Sequence, residues 1–158
     1  MSDLPNELVP VTSASPSRGQ IDQGRLYTAP DLMRLTGMTR KQVTYWAKIG
    51  LVEPSFQDTT ATGGRPSLFY SAQEVLKAMV VCDLRKAGFT PRQVKIVASN
   101  LQECDVNLYE SQAFILTDGY SVYYAFSHDE VVDVLKNHRQ LFLLVPVHEH
   151  VDRLKKVA

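Results

Sequence analysis

The stretch MTRKQVTYWAKIGLVEP, residues 38–54, decides how the chain is read. It gathers Arg40, Lys41, Thr44, Tyr45 and Trp46 into one short helical segment that stops at Gly50. Cations in a first helical turn oppose the helix dipole and cost about 0.3–1 kcal/mol each, so something outside the helix must favour them. Phosphate is the natural counter-charge. The mixture therefore points to a helix that lies on nucleic acid rather than one that only covers a core.

Working outward, four short signals mark helix starts. In a capping box, a Ser or Thr accepts from the backbone three residues on, and that residue's side chain reaches back. Thr28 to Asp31 (TAPD) opens a helix with Leu32 and Leu35 inward, stopped by Gly37. Thr39 to Gln42 (TRKQ) opens the segment above, with Gly50 as its C-terminal stop. Ser71 to Glu74 (SAQE) precedes an apolar stripe at Val75, Leu76, Met79, Val80 and Leu84. Thr90 to Gln93 (TPRQ) precedes Val94, Val97 and Leu101. Residues 36–38 are a tight helix-turn-helix connection.

Between the second and third helices lies LVEPSFQDTTATGGRPSLFY, apolar and β-prone at its ends and rich in Thr, Gly and Asp between them. It reads as a two-stranded hairpin with a mobile tip. After Leu101 the pattern changes. AFILTDGYSVYYAF contains two β-rich runs around Asp118-Gly119, a dipeptide suited to a two-residue turn in which both residues have positive φ. SHDE then caps a helix bearing Val131, Val132, Val134 and Leu135; LFLLVPV reads as a buried strand and HEHVDRLKK as a last short helix.

Bulk properties bound the rest. The 158-residue chain has zero formal net charge, which hides a split. Residues 25–96 carry eleven Lys/Arg and five Asp/Glu, a net of +6, and the remainder carries −6. A basic module flanked by acidic segments suits contact with a polyanion. No apolar run approaches the ~20 residues of a membrane helix, and the first residues lack signal-peptide blocks, so a cytosolic protein without membrane contact is expected. Two cysteines, Cys82 and Cys104, imply neither a disulfide scaffold nor a four-ligand zinc site. Cys82, among Val80, Val81 and Leu84, reads as a buried structural thiol. His148, Glu149 and His150 lack further ligands at suitable spacing and read as a polar helix start. No nucleophile–base pair or phosphate-cradling loop is present, so neither an enzyme nor a cofactor is expected.

These residues resemble the winged helix-turn-helix DNA-binding domain of the MerR family over positions 27 to about 101. The resemblance rests on Tyr27-Thr28, Gly37, Tyr45-Trp46, Gly50-Leu51-Val52 leading to Pro54, Gly64-Arg65 leading to Leu68-Phe69-Tyr70, and Leu84 to Gly88-Phe89. It implies an α+β fold: a winged helix-turn-helix of four helices plus a β-hairpin wing, then a small α+β unit. The expected division is a disordered tail at 1–24, the DNA-binding domain at 25–104, and a unit at 110–158 that dimerises the chain, senses a small molecule or recruits a protein.

The same resemblance implies a dimer on a near-palindromic site of double-stranded DNA. Helix 39–49 would enter the major groove and wing 54–70 would grip the backbone. Thr39, Arg40, Lys41 and Thr44 would face bases and nearby phosphates, Tyr45 and Trp46 would stand at the backbone, and Arg65 would reach a phosphate from the wing. Trp46, three residues after Val43, serves equally well as a core position. Two departures stand out: Thr44 occupies a position where the family commonly has Arg, and no heptad pattern follows Gln102. Dimerisation must then use a surface other than a long coiled coil. An architectural or adaptor protein of excisionase-like type, which organises DNA and recruits a partner, is the alternative reading.

Overall fold

A computed structural model of the chain describes residues 8–10, 25–58, 67–104, 107–108 and 112–156. It divides into two compact units, residues 1–75 and 76–158. The division falls inside a helix that the sequence assigns whole to residues 25–104.

In the first unit, β1 (Leu8–Pro10), β2 (Leu26–Thr28), β3 (Phe56–Asp58) and β4 (Ser67–Ser71) form an antiparallel sheet in the order β1-β3-β4-β2. Leu8–Pro10 falls within the expected disordered tail, yet it pairs with β3, Val9 opposite Gln57. A three-residue strand carries no periodic signal, and its partner lies more than forty positions on. The rest of the tail lies outside the described residues. Pairing of β3 with β4 supplies the expected antiparallel stems, Phe56 opposite Phe69; the connecting residues 59–66 lie outside the described residues.

Helices α1 (Ala29–Thr36) and α2 (Arg40–Lys48) begin at their expected caps, Thr28 and Thr39. Gly37 ends α1 in the left-handed conformation, φ +77°, and its N–H donates to the Met33 carbonyl at 2.8 Å. Only glycine takes that conformation without strain. Tyr27, Leu32, Leu35, Val43, Trp46 and Tyr70 are among the buried side chains of this unit.

Helix α3 (Ala72–Lys86) runs through the division between units, and every residue from Val75 to Val81 is buried, as suits a helix that is apolar on most of its faces. Its start departs from a full capping box. Ser71 Oγ accepts from the Glu74 N–H at 3.2 Å, but Glu74 Oε2 accepts from the Glu53 N–H at 2.9 Å, and the Ser71 N–H donates to Ser55 Oγ at 3.1 Å. The return bond is thus replaced by contacts that fasten the segment after α2 to the start of α3.

In the second unit, α4 (Pro91–Glu103) has its complete Thr90–Gln93 box. Strands β5 (Phe114–Thr117), β6 (Val122–Ala125) and β7 (Leu143–Pro146) form an antiparallel sheet in the order β6-β5-β7, followed or interleaved by α5 (His128–Asn137) and α6 (Val147–Lys156). The helical residues 76–103 belong to this unit together with the sheet. Among the contacts that join them, Tyr124 Oη on β6 donates to Asn100 Oδ1 on α4 at 3.0 Å, and His150 Nε2 on α6 lies 2.5 Å from Asp83 Oδ2 on α3.

Two local expectations are corrected here. The β5–β6 connection is the four residues 118–121, since Thr117 pairs with Val122, and only Gly119 has positive φ, +94°. Asp118 Oδ1 instead accepts from the Tyr120 and Ser121 N–H groups at 2.9 and 2.7 Å, closing the loop through its side chain. A Cβ on Gly119 would stand 2.9 Å from Gln93 Nε2, so the glycine also permits close approach to α4. The segment LFLLVPV is an edge strand rather than a buried one: Val145 is buried, whereas Leu141 and Leu144 are exposed. Of the α5 residues, Val131 is buried and Val134 half-buried, but Val132 and Leu135 face solvent. Among the described residues, no helix is long and apolar enough to cross a membrane.

Candidate nucleic-acid interface

The ends of α2 fix its start and its exit. Thr39 Oγ1 accepts from the Gln42 N–H at 3.2 Å, and Gln42 Oε1 accepts from the Thr39 N–H at 2.9 Å. At the other end, the Leu51 and Val52 N–H groups both donate to the Trp46 carbonyl, at 2.9 and 3.3 Å, and turn the chain toward β3. Between the ends, Val43 and Trp46 are buried and set the rotation of the helix. At roughly 100° per residue, Arg40, Thr44, Lys48, Lys41 and Tyr45 then share an arc of about 140° on the opposite side. All five are exposed.

This arc has an electrostatic character of its own. The first turn of α2 contains no acid. Arg40, Lys41 and Lys48 make no ion pair with any described residue, whereas Arg34 on α1 holds Asp31 at 2.6 Å. Burial opposes ionisation of Asp31, but hydrogen bonds from Thr28 and the Arg34 guanidinium outweigh it and keep that carboxyl below its usual range. The acid nearest in sequence on α1 is therefore neutralised by its own neighbour.

Individual groups differ in what they can still offer. Thr39 Oγ1 accepts from Gln42 and keeps its hydroxyl hydrogen. Thr44 donates its hydroxyl hydrogen to the Arg40 carbonyl at 3.0 Å, so it presents a methyl group and acceptor lone pairs. Tyr45 is 47% exposed and stands edge-on to Trp46, with centroids 5.3 Å apart and planes at 68°.

The sequence-derived set is partly reassembled. Thr39, Arg40, Lys41, Thr44 and Tyr45 lie together on one exposed surface. Trp46 leaves that set: at 6% exposure its ring is packed inside, because it falls one turn from Val43 on the buried face. Arg65, with Gly64 and Pro66, lies outside the described residues. Lys48 joins the set and was missed, although its spacing of eight from Arg40 marks the same face.

Elsewhere, His150 is not a simple polar helix-start residue. It is buried, its Nε2 is held by Asp83, and its Nδ1 finds no hydrogen-bond partner among the described residues. Cys82 and Cys104 are both half-buried, so Cys82 is less enclosed than its apolar neighbours imply.

Residues 27–101 match the family model for MerR helix-turn-helix regulatory proteins. By that match the stretch is similar to the helix-turn-helix domains of the MerR family. The chain is also 28% identical over 116 residues to uncharacterized HTH-type transcriptional regulators of Mycobacterium bovis and Mycobacterium tuberculosis, a match that covers 73% of this chain and 50% of each relative. The chain thus spans about half the length of the curated relatives it matches. The match to the MerR-family domain contains all of α1 to α3 and most of α4, together with the exposed arc of α2.

Proposed function

We propose that this chain is a sequence-specific DNA-binding regulator of transcription that binds a near-palindromic site as a dimer. The observation that carries the reading is the α2 arc. Three cations without ion pairs among the described residues, two threonines and a tyrosine share one exposed surface of a MerR-like domain, and the opposite face is anchored by Val43 and Trp46.

In this reading α2 enters the major groove. Arg40 reads a guanine edge through two parallel hydrogen bonds, and Thr44 offers its methyl to a thymine methyl or its lone pairs to a base donor. Lys41, Lys48 and the Tyr45 hydroxyl meet phosphates, and the Thr39 hydroxyl donates to one at the helix N-terminus, where backbone dipoles already favour anions. The hairpin spanning 54–70 acts as a wing, with Arg65 on a flanking phosphate. Its stems are tied in by the Ser55 N–H, which donates to the Phe69 carbonyl at 2.8 Å. The C-terminal unit supplies the second copy.

A footprint with a salt titration on the DNA upstream of the chain's own gene tests this. A short symmetric footprint, with log affinity falling linearly with log salt, is the expected result. Protection that spreads along the DNA overturns it in favour of an architectural role.

A further inference from the structure

Apart from Tyr45, the large apolar residues that stand in solvent among the described residues all fall between positions 120 and 144: Tyr120, Phe126, Val132, Leu135, Leu141 and Leu144. Scattered singly, such residues carry no message; six within about twenty-five positions of one unit point to an interaction surface there. Helix α5 turns Val131 and Val134 onto Leu116 and Ala125 of the sheet, which leaves Val132 and Leu135 on its outward side, 44% and 50% exposed. Leu144 pairs with Leu116 across the β5–β7 ladder, so it belongs to the sheet face that α5 covers. It remains 44% exposed there, and Leu141, just before the strand, is 94% exposed.

Charge decides what fits this surface. Asp129 lies three residues before Val132 on α5, Lys136 four residues after it, and Arg139 just beyond the helix end; all are exposed. None makes an ion pair with a described residue. Asp133, also exposed, stands beside Val132, so the outward side is acidic toward the helix N-terminus and basic at its C-terminal end, with Val132 and Leu135 between. A two-fold related copy running antiparallel matches it at both ends at once, which is the requirement of an isologous interface. Antiparallel helix dipoles add to the match.

We propose that α5 is the dimer interface of this chain, resting on the dimeric reading given above. Two α5 helices pack antiparallel, Val132 and Leu135 of each copy against the same residues of the other, with each Asp129 facing Lys136 and Arg139 across the axis. Leu141 and Leu144 extend the apolar area beyond the helices. That extension matters, since a pair of ten-residue helices alone is a small contact for a stable dimer.

Sedimentation equilibrium of the full chain without DNA tests it. The wild-type chain is expected to be a reversible dimer, and Leu135→Glu to raise the dissociation constant roughly 100-fold or more while leaving the far-UV circular dichroism unchanged. Asp129→Lys alone, and Lys136→Glu with Arg139→Glu alone, are each expected to weaken the dimer; all three together are expected to restore it. A merely structural role for these residues gives no such rescue. A monomeric wild-type chain, a dimer indifferent to Leu135→Glu, or the absence of rescue overturns the proposal. Binding of a single half-site by Leu135→Glu is measured separately: its loss from both wild type and variant would strike the DNA-binding reading and leave the interface untouched.

Discussion

Tyr45 and Trp46 are neighbours in the chain and touch edge to face at 5.3 Å, yet one is 47% exposed and the other 6%. The pair straddles the boundary between the core and the exposed surface of α2. Trp46 holds the helix in place and Tyr45 rests against it. Substituting each therefore separates stability from binding. Trp46→Ala is expected to destabilise the fold by about 3–5 kcal/mol, the usual cost of removing a large buried aromatic. Tyr45→Ala is expected to change stability by less than about 1 kcal/mol and to weaken DNA binding. Urea melts followed by far-UV circular dichroism, beside gel-shift titrations, would resolve the two.

Arg40 and Lys48 should differ in kind. Arg40→Ala is expected to cost ~1–3 kcal/mol in specific binding and to relax preference at one base pair. Lys48→Ala should weaken binding evenly across sequences and lower the salt slope by about one. Neither is expected to destabilise the fold, since neither side chain is held by a described partner. Competition binding against a library of single-base variants of the site, repeated at several salt concentrations, distinguishes the effects; a uniform loss for Arg40→Ala would place it on phosphate.

The Thr39 and Thr90 caps provide an internal comparison. Both make complete capping boxes with the same Thr-to-Gln spacing. Alanine at either position is expected to cost roughly 1 kcal/mol of stability. Only Thr39→Ala should also reduce DNA affinity. Equal loss of affinity in both variants would show that the Thr39 effect is indirect.

At high pH, the second unit should lose stability through Tyr124. Burial, reinforced by Cys104 beside it, pushes the Tyr124 phenol well above its ordinary range. A raised phenol binds its proton more tightly in the folded state. Its contribution is thus fully present below about pH 10, the unfolded value, and is lost progressively as pH rises above it. Tyr124→Phe removes the hydrogen bond to Asn100, costing on the order of 1 kcal/mol at neutral pH, and should flatten the alkaline decline. Denaturant midpoints from pH 8 to 11 for both proteins would check the sign.

Acid acts in the opposite direction through Asp31. Although burial alone would raise it, the carboxyl is held below its usual range, so its contribution is full above about pH 4 and is lost as pH falls through the folded value. Asp31→Asn should lower stability at neutral pH and make the acid limb shallower. Thermal melts at pH 7 and pH 3 suffice; an unchanged acid limb would show that other carboxylates dominate it.

What the sequence determined by itself was local. The boxes at Thr28, Thr39 and Thr90, the stop at Gly37 and the apolar stripes of α3 and α4 depend on residues within a few positions of one another, so the backbone satisfies them wherever the helix packs. The exposed cations of α2 were legible for the same reason, and Lys48 could have been read from its period. Contacts between distant segments decided the remainder. Trp46 could have faced either way until burial beside Val43 settled it. Glu74 abandoned its local bond because the Glu53 N–H, twenty-one positions away, competed for the same oxygen. His150 became buried through Asp83, sixty-seven positions earlier. The exposure of Val132, Leu135 and Leu144 followed from which face of a three-stranded sheet a single helix could cover, a matter of tertiary packing that no apolar run in the sequence can announce.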